Sequence, residues 1–178
     1  MTEPEVSLRL AIYYLKNHLT SRDVMVSIDG AHIKTGNTVH FDIEGFLREN
    51  LCVKMDGDFG RWQGVWHLEG QKTNMILNAV PGNGDVQVVL PDGKTLFVES
   101  KKGGRGKSSQ EYRLMREAIG QLMTSRFVSE STIPAVAVPY AKKSLELAER
   151  WSKLEQIQRA GIRFLLVQED GNILAVQE

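Results

Sequence analysis

Residues 84–101 read GDVQVVLPDGKTLFVESK, and this stretch decides the fold. Residues 86–90 and 95–98 are rich in β-branched and aromatic side chains, which favours two β-strands. The Pro91-Asp92-Gly93 sequence between them is typical of a tight turn. Polar residues stand at the far end of the hairpin, with Asp85 before the first strand and Glu99-Ser100-Lys101 at the end of the second. The stretch therefore predicts an apolar hairpin that ends in two carboxylates and a lysine.

The turn also predicts which residues of the two strands face each other. Proline suits the second position of a type I turn, aspartate the third, and glycine the left-handed position that follows, which gives a three-residue loop. Leu90 then pairs with Lys94, and the same register places Asp85 opposite Glu99 with both side chains on one face. Lys101 points the same way because it is two residues further along its strand. A two-residue loop is the alternative, and it would place Asp85 on the other face.

Two opposed carboxylates beside a lysine favour a metal site. Bare carboxylates that face each other on paired strands repel, and a divalent cation removes that cost. Mg²⁺ binds oxygen ligands and often needs only one or two carboxylates from the protein. A lysine near the cation can orient a water molecule and stabilise charge that develops on a phosphate. The alternative is structural: Asp85 caps its strand, while Glu99 and Lys101 form a surface ion pair worth about 0–1 kcal/mol.

The composition is that of a globular protein of one domain. The chain has 178 residues, of which 42% are hydrophobic and 25% are charged, which is enough to bury a sizeable core. It contains no apolar run of about 18 residues, so we expect no membrane span. The acidic start MTEPEVSLRL lacks the basic region of a signal peptide. A single cysteine, Cys52, excludes an internal disulfide, and we expect a cytoplasmic protein.

The charges are unevenly distributed, although the net charge of the whole chain is zero. Residues 1–100 carry a net charge of −4, residues 101–126 carry +5, and residues 127–178 carry −1. A zero net charge argues against binding to nucleic acid by bulk electrostatics. The positive segment begins at Lys101, and it predicts local binding of an anion at the end of the hairpin.

The rest of the chain predicts an α/β fold. Helices are expected at residues 6–19, 44–50, 110–127 and 142–160, and further strands at 24–28, 39–43, 65–68, 74–80, 133–138, 163–167 and 173–176. This order predicts a central mixed β-sheet flanked by helices. We assign all 178 residues to one domain, with its core at 1–20 and 74–178 and an N-terminal strand-rich elaboration at 21–73.

The motif resembles that of the PD-(D/E)XK nuclease superfamily, which has the restriction-endonuclease-like fold. Gly84-Asp85 is followed by thirteen residues and then by Glu99-Ser100-Lys101, on consecutive strands that precede a helix and another strand. The resemblance covers about residues 74–140 and extends to the first helix. It implies an endonuclease that cleaves DNA, in which Asp85, Glu99 and the Ser100 carbonyl bind Mg²⁺, with Mn²⁺ as the alternative, and Lys101 positions the attacking water. Gly84 replaces the nominal proline, a departure that touches no metal ligand.

The resemblance implies three further features. Members often carry a glutamine on the helix after the motif, which Gln121 matches, although it also suits a boundary residue. Several members use a glutamate on the first helix, for which Glu5 is the candidate. Many are homodimers in which each subunit cuts one strand. The sequence does not discriminate DNA from RNA, and the competing function is a non-catalytic nucleic-acid-binding or assembly module that keeps the fold.

A basic, glycine-rich loop follows the motif. Lys102, Arg105 and Lys107 predict contacts to backbone phosphates, with a solvated loop as the alternative. The loop is not a nucleotide-binding P-loop, because Lys101 stands where that motif requires its first glycine. The four histidines show no metal-ligand spacing, which favours surface or hydrogen-bonded roles for His18, His32, His40 and His67.

Overall fold

The structure, a computed structural model, describes residues 1–55, 60–82, 84–103, 108–126 and 128–176, and its largest feature is a nine-stranded mixed sheet. The strands are β1 (Val24–Ser27), β2 (Lys34–Thr35), β3 (Thr38–Val39), β4 (Cys52–Lys54), β5 (Gly64–Leu68), β6 (Asn74–Asn78), β7 (Val86–Val89), β8 (Thr95–Ser100), β9 (Thr132–Pro139), β10 (Arg163–Val167) and β11 (Ile173–Val176). The helices are α1 (Glu3–Lys16), α2 (Ile43–Glu49), α3 (Ser108–Thr124), α4 (Lys142–Trp151) and α5 (Glu155–Ala160).

The sheet runs in the order β11-β10-β9-β8-β7-β1-β6-β5-β4, and β2 and β3 form a separate two-stranded ribbon. Within the large sheet, β8, β9 and β10 are parallel neighbours, β1 is parallel to β6, and β7 is antiparallel to both β1 and β8. The prediction of a mixed α/β fold with a large central sheet is confirmed.

Helices cover both faces of this sheet. Alternate residues of the central strands point to opposite sides, as the twofold side-chain period of a strand requires. Leu96 and Val98 of β8 pack in the core cluster that contains α1, whereas Phe97 packs in the cluster that contains α3 and α4. The site residues therefore lie on a strand that is buried between two helical layers.

The predicted register of the hairpin is confirmed. Val86 pairs with Val98 and Val89 with Thr95. The Leu90 amide donates to the Lys94 carbonyl at 2.8 Å, which closes the three-residue loop. The paired residues end at Val86 and Val98, and beyond them the Asp85 amide donates to the Val98 carbonyl and the Ser100 amide donates to Asp85 Oδ2. The turn residues were thus sufficient to predict the register of the two strands, whereas the pairing of Asp85 with Glu99 stays a prediction.

Strand β1 is inside the sheet, although it belongs to the segment 21–73 that the sequence assigned to an elaboration. Val24 pairs with Met75 of β6, and Met25 pairs with Gln87 of β7. β4 and β5 then extend the same sheet at one edge. The short strand β1 was expected from its sequence, but its long-range pairing could not be read from local pattern.

Most of the predicted elements differ from the structure in their bounds by a few residues. α1 begins at Glu3 rather than residue 6, because Thr2 caps it by accepting a hydrogen bond from the Glu5 amide at 3.3 Å. The strand expected at 39–43 is cut short because Asp42 caps α2, accepting a bond from the Gly45 amide at 3.0 Å.

The helix expected at 142–160 is two helices. Its first part ends at Trp151, and the second begins after Leu154, whose ψ of 129° is extended. The Ser152 hydroxyl donates to the Glu149 carbonyl at 3.2 Å, a local bond that competes with helical pairing. Gly161 ends α5 in the left-handed conformation, as its sequence position indicated.

None of the helices in the described part of the chain is long and apolar enough to cross a membrane.

Candidate active site

The open end of the β7–β8 hairpin forms the floor of a cleft of about 1090 Å³. Asp85, Glu99 and Lys101 all line it. One wall comes from the segments that follow β1 and β6, and the other comes from α3. The structure therefore brings the three motif side chains to one cavity that is open to solvent.

Asp85 is fixed by backbone hydrogen bonds to both neighbouring strands. Its amide donates to the Val98 carbonyl at 2.8 Å, and its carbonyl accepts a bond from the Ser27 amide at 2.9 Å. The Ser100 amide donates to its Oδ2 atom at 2.6 Å. Burial raises the pKa of Asp85 to about 7, the Glu99 charge adds to the rise, and the Ser100 amide opposes it. At neutral pH the Asp85 carboxyl is thus protonated in about half of the molecules.

Glu99 lies near the end of β8, lines the same cleft as Asp85 and is partly buried. Burial raises the pKa of Glu99, the Lys101 charge opposes that rise, and the Glu3 charge adds to it. Within the described residues, neither Asp85 nor Glu99 forms an ion pair with a basic side chain. The Asp85 and Glu99 carboxylates repel each other in one cleft. A divalent cation that binds an oxygen of each would remove this repulsion.

Lys101 is held by two other carboxylates. Its side chain is only 5% exposed, and its Nζ atom lies 3.6 Å from Glu117 Oε1 and 3.9 Å from Glu3 Oε1. Its amide donates to the Ala137 carbonyl at 2.8 Å, which anchors the backbone to β9. The ammonium group is therefore fixed beside the Asp85–Glu99 pair by residues from α1 and α3.

Ser100 does not reach the cleft. It is completely buried, and its hydroxyl has no hydrogen-bond partner. Its contribution is the amide that bonds Asp85, so the carbonyl ligand implied by the resemblance is not presented on the surface in this structure. Mg²⁺ needs only one or two protein carboxylates, and Asp85 and Glu99 meet that requirement. No group of three or more His, Cys, Asp and Glu side chains in the described ranges is arranged to hold a metal ion.

The first-helix glutamate in the cleft is Glu3, whereas the sequence pointed to Glu5. Glu5 is turned away and bonds the Arg9 guanidinium at 3.0 Å. The difference follows from the earlier start of α1, which puts Glu3 in its first turn. A threonine followed three residues later by a glutamate is a helix-start signal, and Thr2 with Glu5 could have revealed it.

One side of α3 forms the second wall of the cleft. Arg113, Glu117 and Gln121 are spaced four residues apart, which places them along one helical face, and all three line the cavity. Gln121 is exposed there, as its predicted role requires. Glu117 and Arg113 were missed as site residues because a helical face can be assigned to a cleft only when the helix is packed.

Basic side chains lie at the rim of the cleft. Lys102 and Arg113 line it and are exposed. Arg105 and Lys107, which the sequence also assigned to phosphate contacts, lie outside the described residues. Lys102 and Arg113 thus bring part of the positive charge that follows Lys101 in sequence to the rim of the cleft.

Gly84 is required at the entrance to β7. Its φ is +68°, and a Cβ atom added there would lie 2.7 Å from the Phe97 ring. Proline, whose φ is fixed near −65°, is incompatible with this conformation. The departure from the nominal proline therefore has a local cause and leaves Asp85 in position.

Comparison of the chain with models of known families, with curated proteins and with solved structures finds no match.

Proposed function

We propose that this chain is a metal-dependent nuclease that hydrolyses phosphodiester bonds in DNA, built on a restriction-endonuclease-like core. The observation that carries the proposal is the pair Asp85 and Glu99, which share one cleft with Lys101 and form no ion pair with a basic side chain in the described residues. The order of α1, the β7–β8 hairpin, α3 and β9 supports the resemblance on which the fold assignment rests.

Asp85 and Glu99 would hold Mg²⁺, or Mn²⁺ in its place. The cation, when bound, would neutralise charge on the phosphate and activate water for attack. The carboxylate oxygens suit this role because Mg²⁺ prefers oxygen ligands.

Lys101 orients the attacking water and stabilises negative charge on the phosphate oxygens. Glu3 and Glu117 hold its ammonium group in place, so little reorganisation is needed when substrate arrives. Gln121 contributes an amide from the opposite wall, where it can donate to a phosphate or accept from a water.

Lys102 and Arg113 bind phosphates that flank the scissile bond. Both are exposed at the rim, and such contacts position the strand without reading its sequence. The resemblance also leads us to propose a homodimer in which each subunit cuts one strand, and light scattering after gel filtration measures its mass.

The test is cleavage of supercoiled, linear, branched and single-stranded DNA, and of RNA, with Mg²⁺ or with EDTA. We expect wild-type protein to cut DNA only with the metal. Lys101→Met, which keeps the volume of the buried side chain, should lower the rate at least about 100-fold. Lys94→Ala, at the turn end of the same hairpin, is the matched control and should cut at the wild-type rate.

A wild-type protein that binds DNA and never cuts it would favour the non-catalytic binding module instead. Equal cleavage by wild type and Lys101→Met would contradict the proposed site.

A further inference from the structure

His32 is carried into the cleft by the segment that follows β1. The Ser27 amide at the end of β1 donates to the Asp85 carbonyl, so this strand is fixed directly to the site. Residues Gly30–His32 then form a 3₁₀ turn, which Asp29 caps by accepting a bond from the Ala31 amide at 2.9 Å. His32 is the last residue of that turn and lines the cleft.

His32 and Lys101 approach the same oxygen atom. Glu3 Oε1 lies 3.5 Å from His32 Nδ1 and 3.9 Å from Lys101 Nζ. One carboxylate oxygen therefore links the imidazole to the lysine of the motif. Asp29 and Lys102 also line this cleft, and Asp29 caps the turn that carries His32.

The two ring nitrogens of His32 are in different surroundings. Nδ1 faces Glu3, which fixes the ring orientation, as a carboxylate behind a histidine commonly does. The side chain is 48% exposed, and Nε2 forms no hydrogen bond with a described residue. A histidine so oriented can donate a proton from Nε2 to a group bound in the cleft.

We propose that His32 is the general acid that protonates the leaving oxygen of the cleaved phosphodiester. This role rests on the proposed function. It adds a proton donor for the leaving oxygen, which Asp85, Glu99 and Lys101 do not provide. Those residues act on the attacking water and on phosphate charge, whereas the departing sugar oxygen also needs a proton to leave as a hydroxyl group.

In the proposed step a water oxygen forms a bond to phosphorus, and the water loses one proton to bulk solvent. The bond from phosphorus to the sugar oxygen breaks, and that oxygen keeps the electron pair and takes the Nε2 proton of His32. The ring regains a proton from solvent afterwards. One water is consumed, and a phosphate monoester and a sugar hydroxyl are formed.

The variant His32→Gln tests this role without threatening the fold. The His32–Glu3 contact is half exposed, and exposed ion pairs contribute little to stability. His40→Gln is the matched control, because His40 lies in the same segment and is exposed, and it shares a neighbouring cavity with His32 but does not line the cleft that holds Asp85. The His40 ring bonds Thr35 instead. Both variants should melt at the wild-type temperature.

The deciding measurement compares two forms of one DNA substrate, assayed in Mg²⁺ and in Mn²⁺. In one form the leaving atom is oxygen, and in the other it is sulfur, placed at the 3′ or 5′ bridging position that the cleavage products identify. A thiolate leaves without protonation, because a thiol is far more acidic than an alcohol. We expect His32→Gln to lose about 100-fold or more in kcat on the oxygen substrate, to cut the sulfur substrate close to the wild-type rate, and to show little change in KM.

Equal losses on both substrates, or no loss on either, would overturn the role of His32 while leaving the proposed nuclease intact. Wild-type protein that cuts neither substrate with any metal would overturn the proposed function, and the role of His32 with it. A large loss for His40→Gln would show that the segment as a whole, rather than His32, supports cleavage.

Discussion

Two hairpins of this chain each carry an aspartate, and the pKa values of the two carboxyl groups are shifted in opposite directions. Asp85 stands at the open end of the β7–β8 hairpin, and burial raises its pKa to about 7. Asp170 stands in the turn of the β10–β11 hairpin, where hydrogen bonds from Asn172 lower its pKa. The Asn172 amide and side chain both donate to it, at 2.9 and 2.8 Å.

The two pKa values differ because the two aspartates occupy different positions in the sheet. β7 and β8 are central strands, so the end of their hairpin lies between helical layers and next to β1. β11 is an edge strand, and its turn is solvated. Asp170 is satisfied by its own turn, whereas Asp85 forms no ion pair with a basic side chain among the described residues, and we propose it as a metal ligand.

The largest expected effect is on activity. Asp85→Asn removes one of the two proposed ligands and should lower metal-dependent cleavage by about 1000-fold or more, since metal and electrostatic contributions amount to several kcal/mol. Asp170→Asn should cut plasmid DNA at the wild-type rate. Gel assays of nicked and linear product measure both. Comparable activity in the two variants would contradict the prediction that cleavage needs Asp85 and does not need Asp170.

The second effect is on stability. Because the folded-state pKa of Asp85 is raised, the unfolded chain releases this proton first as the pH rises, and the wild type loses stability between about pH 4 and pH 7. Asp85→Asn should therefore be more stable than wild type at pH 8 by about 2–4 kcal/mol, which follows from a shift of about three pKa units. Urea unfolding in EDTA at pH 4 and pH 8 measures the difference.

Asp170→Asn should show the opposite sign. A lowered pKa stabilises the fold above the ordinary pKa of aspartate and loses that contribution as the pH falls. The variant should be slightly less stable than wild type at neutral pH and equal to it in strong acid. Added Mg²⁺ should raise the stability of wild type, but not of Asp85→Asn, because a ligand stabilises only the state that binds it.

The third effect separates two glycines with positive φ. Gly84 has a φ of +68° and a blocked Cβ position, whereas Gly171 has a φ of +85° and open space around it. Gly171→Ala should cost about 1–2 kcal/mol for backbone strain alone. Gly84→Ala should cost about 2–5 kcal/mol, because crowding of Phe97 is added to the same strain. Equal losses in urea unfolding would mean that the Phe97 ring moves aside.

The smallest effect concerns salt dependence. Lys102→Ala and Arg113→Ala remove basic side chains at the rim of the cleft, and each should reduce the slope of log K against log salt by about 1. Lys94→Ala, at the other end of the β7–β8 hairpin, should leave the slope unchanged. Fluorescence anisotropy with labelled DNA at several salt concentrations measures it. A uniform change in all three variants would point to net charge rather than to the rim.

The sequence predicted the register of the hairpin because that register is local. Turn chemistry at Pro91-Asp92-Gly93 sets the pairing of β7 with β8, and Asp85 and Glu99 line one cleft at the open end of the hairpin. The same argument located Lys101. Gln121 followed from the resemblance, and the structure places it in the cleft.

Other site residues could not be predicted, because each depends on the packing of distant segments. Glu3 depends on where α1 starts and on the sheet face that it covers. His32 depends on β1 lying between β6 and β7, which sequence pattern does not reveal. Glu117 depends on which side of α3 faces the hairpin.

The hairpin and its register follow from the sequence, since turn preference and strand periodicity act over a few residues. Only the tertiary structure decided that this end of the hairpin is enclosed, that Asp85 is destabilised as an anion, and that Glu3 joins Lys101 to His32. Burial and long-range charge arise when segments far apart in sequence pack together, and no local pattern encodes them.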